Sequence, residues 1–336
     1  MSRAAVIGAG SWGTALALLL ARKGLSTRLW AHHSMDVDDL VRRRENVTFL
    51  PGHEFPDTLT PTGDLAFALR DAELVVLVAP SHTVRAVLGD ARGFLPADVP
   101  IVSASKGIEN DTLLLMSEVL EEVLPAERHR WLSFLSGPSF AREVAVETPT
   151  AVTVAGRDAA VVAQVQDAFT TPYFRVYTSD DVVGVELGGA LKNVMAIGAG
   201  LVDGLGYGHN TRAALITRGI AEMSRLALRR GAHPLTLGGL AGMGDLVLTC
   251  TGELSRNRTV GVRLGRGEKL GAILAEMKMV AEGIRTAKSA FDLAQREHVE
   301  MPIAEQVYRI LYEDKDPKVA VTELMGRPPK AERLHY

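Results

Sequence analysis

Through the first half of the chain, short apolar runs alternate with longer stretches of helix-forming residues. Ala4-Ala5-Val6-Ile7 is the first such run, and it ends at Gly8-Ala9-Gly10-Ser11-Trp12-Gly13. Residues 14–21 follow, mostly alanine and leucine, and Gly24 stops them. The pattern predicts strand, glycine turn and helix in that order, then a second strand at Thr27-Arg28-Leu29-Trp30. Residues 74–78 are continuously apolar, as a strand covered on both faces requires. Similar runs recur at residues 101–103, 132–135, 151–154 and 174–177, with helical stretches at 81–88, 112–123 and 159–169. Strands alternating with helices predict an α/β fold, doubly wound around a mostly parallel sheet.

Beyond about Ser179 the pattern changes. Strand-type runs become scarce and small residues dominate 186–208. Residues 211–230 carry Leu215, Ile216, Ile220, Met223 and Leu226 at helical spacing. Residues 270–279 and 286–295 also read as helices. Two domains are expected, 1–180 and an all-α C-terminal domain at 181–336. No linker separates them, so a ligand-binding cleft where they pack is expected.

Composition narrows the class. A length of 336 residues suits two domains of ~100–200 residues each. With 47% hydrophobic and 23% charged residues, the chain is globular rather than disordered. Lys plus Arg number 37 against 40 Asp plus Glu, a net charge of -3, which leaves no concentrated basic face for nucleic acid. Arg42-Arg43-Arg44 reads as a solvated helix end. Cys250 is the one cysteine, which excludes an intramolecular disulfide and a multi-cysteine zinc site and fits a cytoplasmic location. Residues 15–21 fall short of the ~20 needed to cross a bilayer, and they lie behind a glycine turn rather than a basic segment. Neither membrane insertion nor a signal peptide is expected, and no spacing suggests a metal.

The Gly8-x-Gly10-x-x-Gly13 spacing points to a dinucleotide. The first glycine makes the tight turn, the second admits a pyrophosphate, and the third allows close helix–strand packing. The helix then offers unpaired N–H groups to the phosphates. Its position between a strand and a helix marks the sheet as Rossmann-like. The second strand ends Leu29-Trp30-Ala31-His32-His33, without the carboxylate that selects a ribose 2′-hydroxyl. His32 and His33 either donate to a 2′-phosphate or are ordinary loop residues. NADPH is expected to serve at least as well as NADH.

Candidate chemistry lies in three further places. Lys106 follows one strand, and Ser136-Gly137-Pro138-Ser139 follows a later one, at the strand ends where open sheets bind ligands. Glu186-Leu187-Gly188-Gly189-Ala190-Leu191-Lys192-Asn193 sets a lysine among small residues, whose glycines imply close packing against another backbone or a ligand. Such a lysine is either a desolvated general acid/base or a snorkelling side chain. Asp245, in Gly242-Met243-Gly244-Asp245, is a candidate site residue or only a helix cap. Ser255 is likewise a candidate cap, while Arg256 at a helix start suits a phosphate. Cys250, between threonines, reads as a packing residue.

Together these segments resemble the bacterial NAD(P)-dependent glycerol-3-phosphate dehydrogenase family over almost the whole chain. Ser105-Lys106-Gly107, Leu135-Ser136-Gly137-Pro138-Ser139, Gly188-Gly189-Ala190-Leu191-Lys192-Asn193, Gly204-Leu205-Gly206-Tyr207-Gly208, Gly244-Asp245-Leu246, Ser255-Arg256-Asn257 and Met279-Val280-Ala281-Glu282-Gly283 carry the resemblance. It implies interconversion of dihydroxyacetone phosphate and sn-glycerol 3-phosphate, feeding phospholipid synthesis, in a homodimer. It implies NAD(P) contacts by Ser11, Trp12, His32, His33, Lys106, Ala141, Arg256, Val280 and Glu282, beside the glycines Gly8, Gly10 and Gly13. Lys106, Gly137, Ser139, Lys192, Asn193, Asp245, Ser255, Arg256 and Asn257 are implied to contact the phosphorylated substrate, with Lys192 the proton donor/acceptor. Asp245 would orient Lys192, and Arg256 with Asn257 would grip the phosphate. The family commonly carries arginine where this chain has His33, which bears on 2′-phosphate recognition. The alternatives are a β-hydroxyacid or phosphogluconate-type dehydrogenase and a non-catalytic NADPH sensor.

Overall fold

The structure, a computed structural model, describes residues 1–32, 37–277, 281–329 and 331–332. The chain forms two compact units: Met1–Lys106 with Leu114–Glu186, and Gly107–Leu113 with Leu187–Tyr336. The sequence pattern sets the change at 180/181. The division between the units lies at Glu186/Leu187, inside a continuous helix.

The described residues of the first unit form ten strands: β1 (Arg3–Ile7), β2 (Ser26–Trp30), β3 (Glu45–Asn46), β4 (Leu50–Glu54), β5 (Leu59–Thr62), β6 (Leu74–Leu77), β7 (Ile101–Ser103), β8 (Leu132–Ser136), β9 (Thr150–Gly156) and β10 (Phe174–Ser179). Eight of them form one sheet in the order β10-β9-β8-β7-β6-β1-β2-β5. All neighbours are parallel except β8 and β9. The strand order reverses between β1 and β6, the switch point at which open α/β sheets bind ligands. β1 and β6 are apolar because both sheet faces are covered, and the helix Ser11–Arg22 buries Leu16, Leu18, Leu19 and Leu20 against them. The doubly wound, mostly parallel sheet predicted from the apolar runs is borne out.

Among the strands, two features escape the pattern. β5 reads Leu59-Thr60-Pro61-Thr62; its proline is tolerated because β5 is an edge strand, and the run has no apolar signature. β3 and β4 form a separate antiparallel hairpin. The pattern also does not anticipate the helices Leu65–Leu69, Ala141–Ala145, Pro302–Tyr312 and Pro317–Met325, and 278–279 of the helix expected over 270–279 lie outside the described residues. For the other expected elements the differences concern ends. The helix expected over 112–123 is Met116–Val123, entered where the Glu118 carboxylate accepts from the Leu115 N–H at 2.7 Å. Arg42 and Arg43 end the short helix Val37–Arg43, and both pair with Asp39.

The regular elements among the described residues of the second unit are helices. Val182–Gly204 is the only helix among the described residues long and apolar enough to cross a bilayer, and it is mostly buried within the protein. His209–Arg229, Asp245–Thr251, Arg256–Gly265, Glu282–Arg296 and Pro302–Tyr312 are further helices of this unit.

Candidate active site

In the first unit, the glycine turn between β1 and its helix has two glycines demanded by the protein and one that is not. Gly8 lies at φ +121°, and a methyl group there would stand 2.6 Å from the Val78 carbonyl oxygen. A methyl group at Gly13 would meet the Gly8 oxygen at 1.8 Å. At Gly10 it would meet no protein atom within 4 Å. That face is open to a ligand's approach, as a pyrophosphate cradle requires. Gly10 also caps the helix Ser11–Arg22 without a side-chain hydrogen bond, so the helix N-terminus, a favourable place for anionic oxygens, opens on this turn. Asn46 braces the turn from β3, its amide donating to the Ala9 oxygen at 2.8 Å and the Thr14 hydroxyl at 2.9 Å. The Trp12 indole N–H is buried with no partner among the described residues, and Trp12 and Ala141 each pack against the core of this unit. These features fit a dinucleotide. His32 is exposed just past β2, edge-on to Trp30 at 5.9 Å. His33 lies outside the described residues.

The turns after β7 and β8 adjoin because those strands pair. Lys106 Nζ donates to the Gly137 oxygen at 3.3 Å, and the Ser139 hydroxyl donates to the same oxygen at 3.0 Å. Lys106, Gly137 and Ser139, far apart in sequence, thus share one acceptor.

In the second unit, Lys192 is 8% exposed on the helix Val182–Gly204. Its Nζ donates to Asp245 Oδ1 at 2.5 Å and to Thr249 Oγ1 at 3.0 Å. Thr249 in turn donates to the Asp245 backbone oxygen at 2.6 Å. The lysine head is therefore fixed, not snorkelling into water. Asp245 does not cap its helix. Gly244 does, and the turn Leu240–Gly244 before it is wound as a wider π-helix, a form frequent at functional sites. Gly188 explains how that turn comes so close: its own methyl group would stand 2.4 Å from the Ala241 oxygen. The partner implied by the glycines is another backbone.

One backbone N–H sets the orientation of two amides beside the lysine. The Gly283 N–H, which can only donate, bonds Asn257 Oδ1 at 3.0 Å. Asn257 Nδ2 therefore faces Asn193, and donates to Asn193 Oδ1 at 2.9 Å. The Asn193 NH2 is left as the group with donors to spare. Ser255 caps the helix Arg256–Gly265, accepting from the Arg258 N–H at 3.2 Å, and Arg256 is exposed at its first position. The Asn193–Asn257 bond thus sets Lys192 and Arg256 at neighbouring points on two helices. Glu282 opens the helix Glu282–Arg296 and is partly exposed; Val280 lies outside the described residues. Cys250 is fully buried, and burial pushes its thiol up to about 12, which suits packing and not nucleophilic attack. Sequence reasoning missed Thr249 and Asn46.

A family model described as NAD-dependent glycerol-3-phosphate dehydrogenase N-terminus matches residues 3–162, and its C-terminal counterpart matches 181–322. Glycerol-3-phosphate dehydrogenase, NAD(P)+, of Geobacter sulfurreducens is 60% identical over 331 residues, 98% of this chain and 99% of that one. The protein of the same description from Geobacter sp. strain M21 is 60% identical over 328 residues, 98% of each chain. The crystal structure of glycerol-3-phosphate dehydrogenase from Coxiella burnetii superposes with a TM-score of 0.92 at 41% identity, covering 97% of this chain and 99% of that one.

Proposed function

Because the chain belongs to the NAD-dependent glycerol-3-phosphate dehydrogenase family, we propose that the buried Lys192–Asp245–Thr249 cluster is the proton-transfer centre of that reaction. The protein is an oxidoreductase that interconverts dihydroxyacetone phosphate and sn-glycerol 3-phosphate with NAD(P). When bound, the nicotinamide supplies the hydride to the ketone carbon, and negative charge develops on the carbonyl oxygen.

Lys192 donates a proton to that oxygen and takes it back in the reverse direction. Asp245 and Thr249 occupy two of the three donor directions of its ammonium group, so the head does not wander between rotamers. A charge held this way in a buried site stabilises a developing oxyanion more than a solvated one does. The Asn193 NH2, aimed by Asn257, is a second donor to the substrate oxygen. Arg256, with Asn257 and Ser255, grips the phosphate, so that binding energy from the non-reacting end positions the carbonyl. In the first unit, Gly8, Gly10, Gly13, Ser11, Trp12, His32, His33 and Ala141 hold the dinucleotide. Lys106, Gly137 and Ser139 form a polar set for cofactor and substrate, and Val280 and Glu282 complete the cofactor contacts.

The observation that carries this reading is the burial of Lys192 against a carboxylate and a hydroxyl. Its test is the reduced-nicotinamide absorbance after addition of dihydroxyacetone phosphate. The wild-type chain is expected to consume the signal. Lys192→Ala is expected to lose ~10²-fold or more in turnover while still binding NADPH. Near-normal turnover in that variant rejects the assignment.

We further propose that the protein works in the cytoplasm as a homodimer, without inserting in a membrane, and that NADPH serves at least as well as NADH. The lack of a carboxylate at Ala31-His32 supports the cofactor preference, since an acid there would repel a 2′-phosphate. Sedimentation of the purified protein reads the oligomeric state, and parallel kinetics with both cofactors read the preference.

A further inference from the structure

The helices Val182–Gly204 and Arg256–Gly265 meet backbone on backbone. A methyl group on Gly200 would stand 2.1 Å from the Arg258 oxygen, and one on Gly204 would stand 2.3 Å from that of Val262. From the other side, a methyl group on Gly261 would stand 2.0 Å from the Ile197 oxygen, and one on Gly265 would stand 2.6 Å from that of Leu201. Partners ascend together along both helices, and Asn193 with Asn257 continues the series. A seam of small residues permits this closeness. It offers few interlocking side chains, however, so it resists separation better than sliding along the axis.

Beyond the Asn193–Asn257 bond at one end of the seam, Asp203 supplies a charged tie at the other. It lies eleven residues after Lys192, three helical turns along the same face. Its Oδ2 accepts from Arg258 Nε at 2.9 Å and from the second guanidinium nitrogen at 2.7 Å. Arg212, from the helix His209–Arg229, donates to both carboxylate oxygens at 3.1 and 3.2 Å. The Asp203 side chain is 14% exposed and those of Arg258 and Arg212 20% and 22%, so these charges interact with little screening.

We propose that Asp203 is a positioning residue for the phosphate grip: through Arg258 it locks the axial register of the Arg256 helix on the Lys192 helix. This rests on the assignment of Arg256 to the substrate phosphate. The carbonyl and phosphate of one small substrate are a fixed distance apart. A slip of one helical turn, ~5.4 Å, would leave Lys192 or Arg256 out of reach. Arg258 does this work two residues from Arg256, without touching substrate, and Arg212 ties the pin to a third helix.

Steady-state kinetics of Asp203→Asn test the proposal. The KM for dihydroxyacetone phosphate is expected to rise ~10-fold or more, with a smaller fall in kcat and an NADPH Kd within ~2-fold of wild type. The preference for dihydroxyacetone phosphate over unphosphorylated dihydroxyacetone is expected to shrink. A generally loosened fold would not change that preference selectively. In an Arg256→Ala background, where the guanidinium's part of the grip is already gone, Asp203→Asn is expected to add less than ~2-fold to KM. Should Asp203→Asn fail to fold, Arg258→Lys, which keeps the charge and loses the fork, is expected to behave the same way. A raised KM in Arg256→Ala with an unmoved KM in folded Asp203→Asn overturns the pin alone. An unmoved KM in Arg256→Ala itself overturns the phosphate role of that arginine, and the proposal with it.

Discussion

Lys192 and Asp245 are buried together, and neither charge has solvent to fall back on. Removing one member of a buried ion pair typically costs about 3–5 kcal/mol. Asp245→Ala should therefore lose both stability and activity, and thermal unfolding beside turnover assays will register both. Thr249→Val separates the two. It keeps the shape and removes only the hydroxyl that accepts from Lys192 and donates to the Asp245 backbone. Turnover is expected to fall ~10-fold or more, with the dinucleotide Kd unchanged. Unaltered turnover would mean that Asp245 alone orients the lysine. The two residues also differ in how legible they were. Lys192 announces itself as a lone charge among small residues. Thr249 becomes visible only when a helix begins at Asp245, which brings a residue four positions on back to the same face.

The same contrast holds for the elements. The glycine fingerprint follows from sequence alone, but its three glycines have different reasons, and substitutions should tell them apart. Gly13→Ala drives a methyl group into the Gly8 oxygen, so a drop in melting temperature is expected together with weaker cofactor binding. Gly10→Ala meets no protein atom, so the fold should keep its stability while dinucleotide affinity falls ~10-fold or more. Calorimetry and cofactor titration on both variants check this; unchanged affinity in Gly10→Ala would remove the cradle from that face. Strands such as Leu74–Leu77 were legible because burial on both faces writes a continuous apolar run. β5 was not, because an edge strand needs no such run and even admits Pro61. The glycines of Val182–Gly204 signalled close approach, but not which backbone approached. That depends on Ala241, Arg258 and Val262, which come from segments more than thirty residues further on.

Across the molecule, two buried carboxyls outside the proposed chemistry set how stability responds to pH. Glu222 caps the helix Pro302–Tyr312, accepting from the Ile303 N–H at 2.9 and 3.0 Å and from that of Ala304 at 3.3 Å. Burial outweighs these bonds and pushes its carboxyl up from 4.5 to about 7. Glu186 accepts from the Ser117 N–H at 2.9 Å and its hydroxyl at 2.5 Å, and burial pushes it up from 4.5 to about 8. In the unfolded chain both release their protons near 4.5, so from there up to about 8 the folded form binds more protons. Their contribution is fully present below the unfolded value and is lost as pH rises through the folded values. Glu73 and Asp158 act in the opposite sense: hydrogen bonds from Ser2 and from the Val161 N–H hold them low, and what they add is lost in acid. Resistance to heat should therefore be greatest on the acid side of neutrality, near about pH 5, and decline toward pH 8. Glu222→Gln keeps an acceptor for the helix N-terminus and cannot ionise, so it should flatten the decline between about pH 5 and 7. Thermal unfolding of both proteins across that range decides the matter: a wild-type melting temperature that climbs from pH 5 to 8, or an equal decline in Glu222→Gln, would overturn the assignment of the decline to these carboxyls.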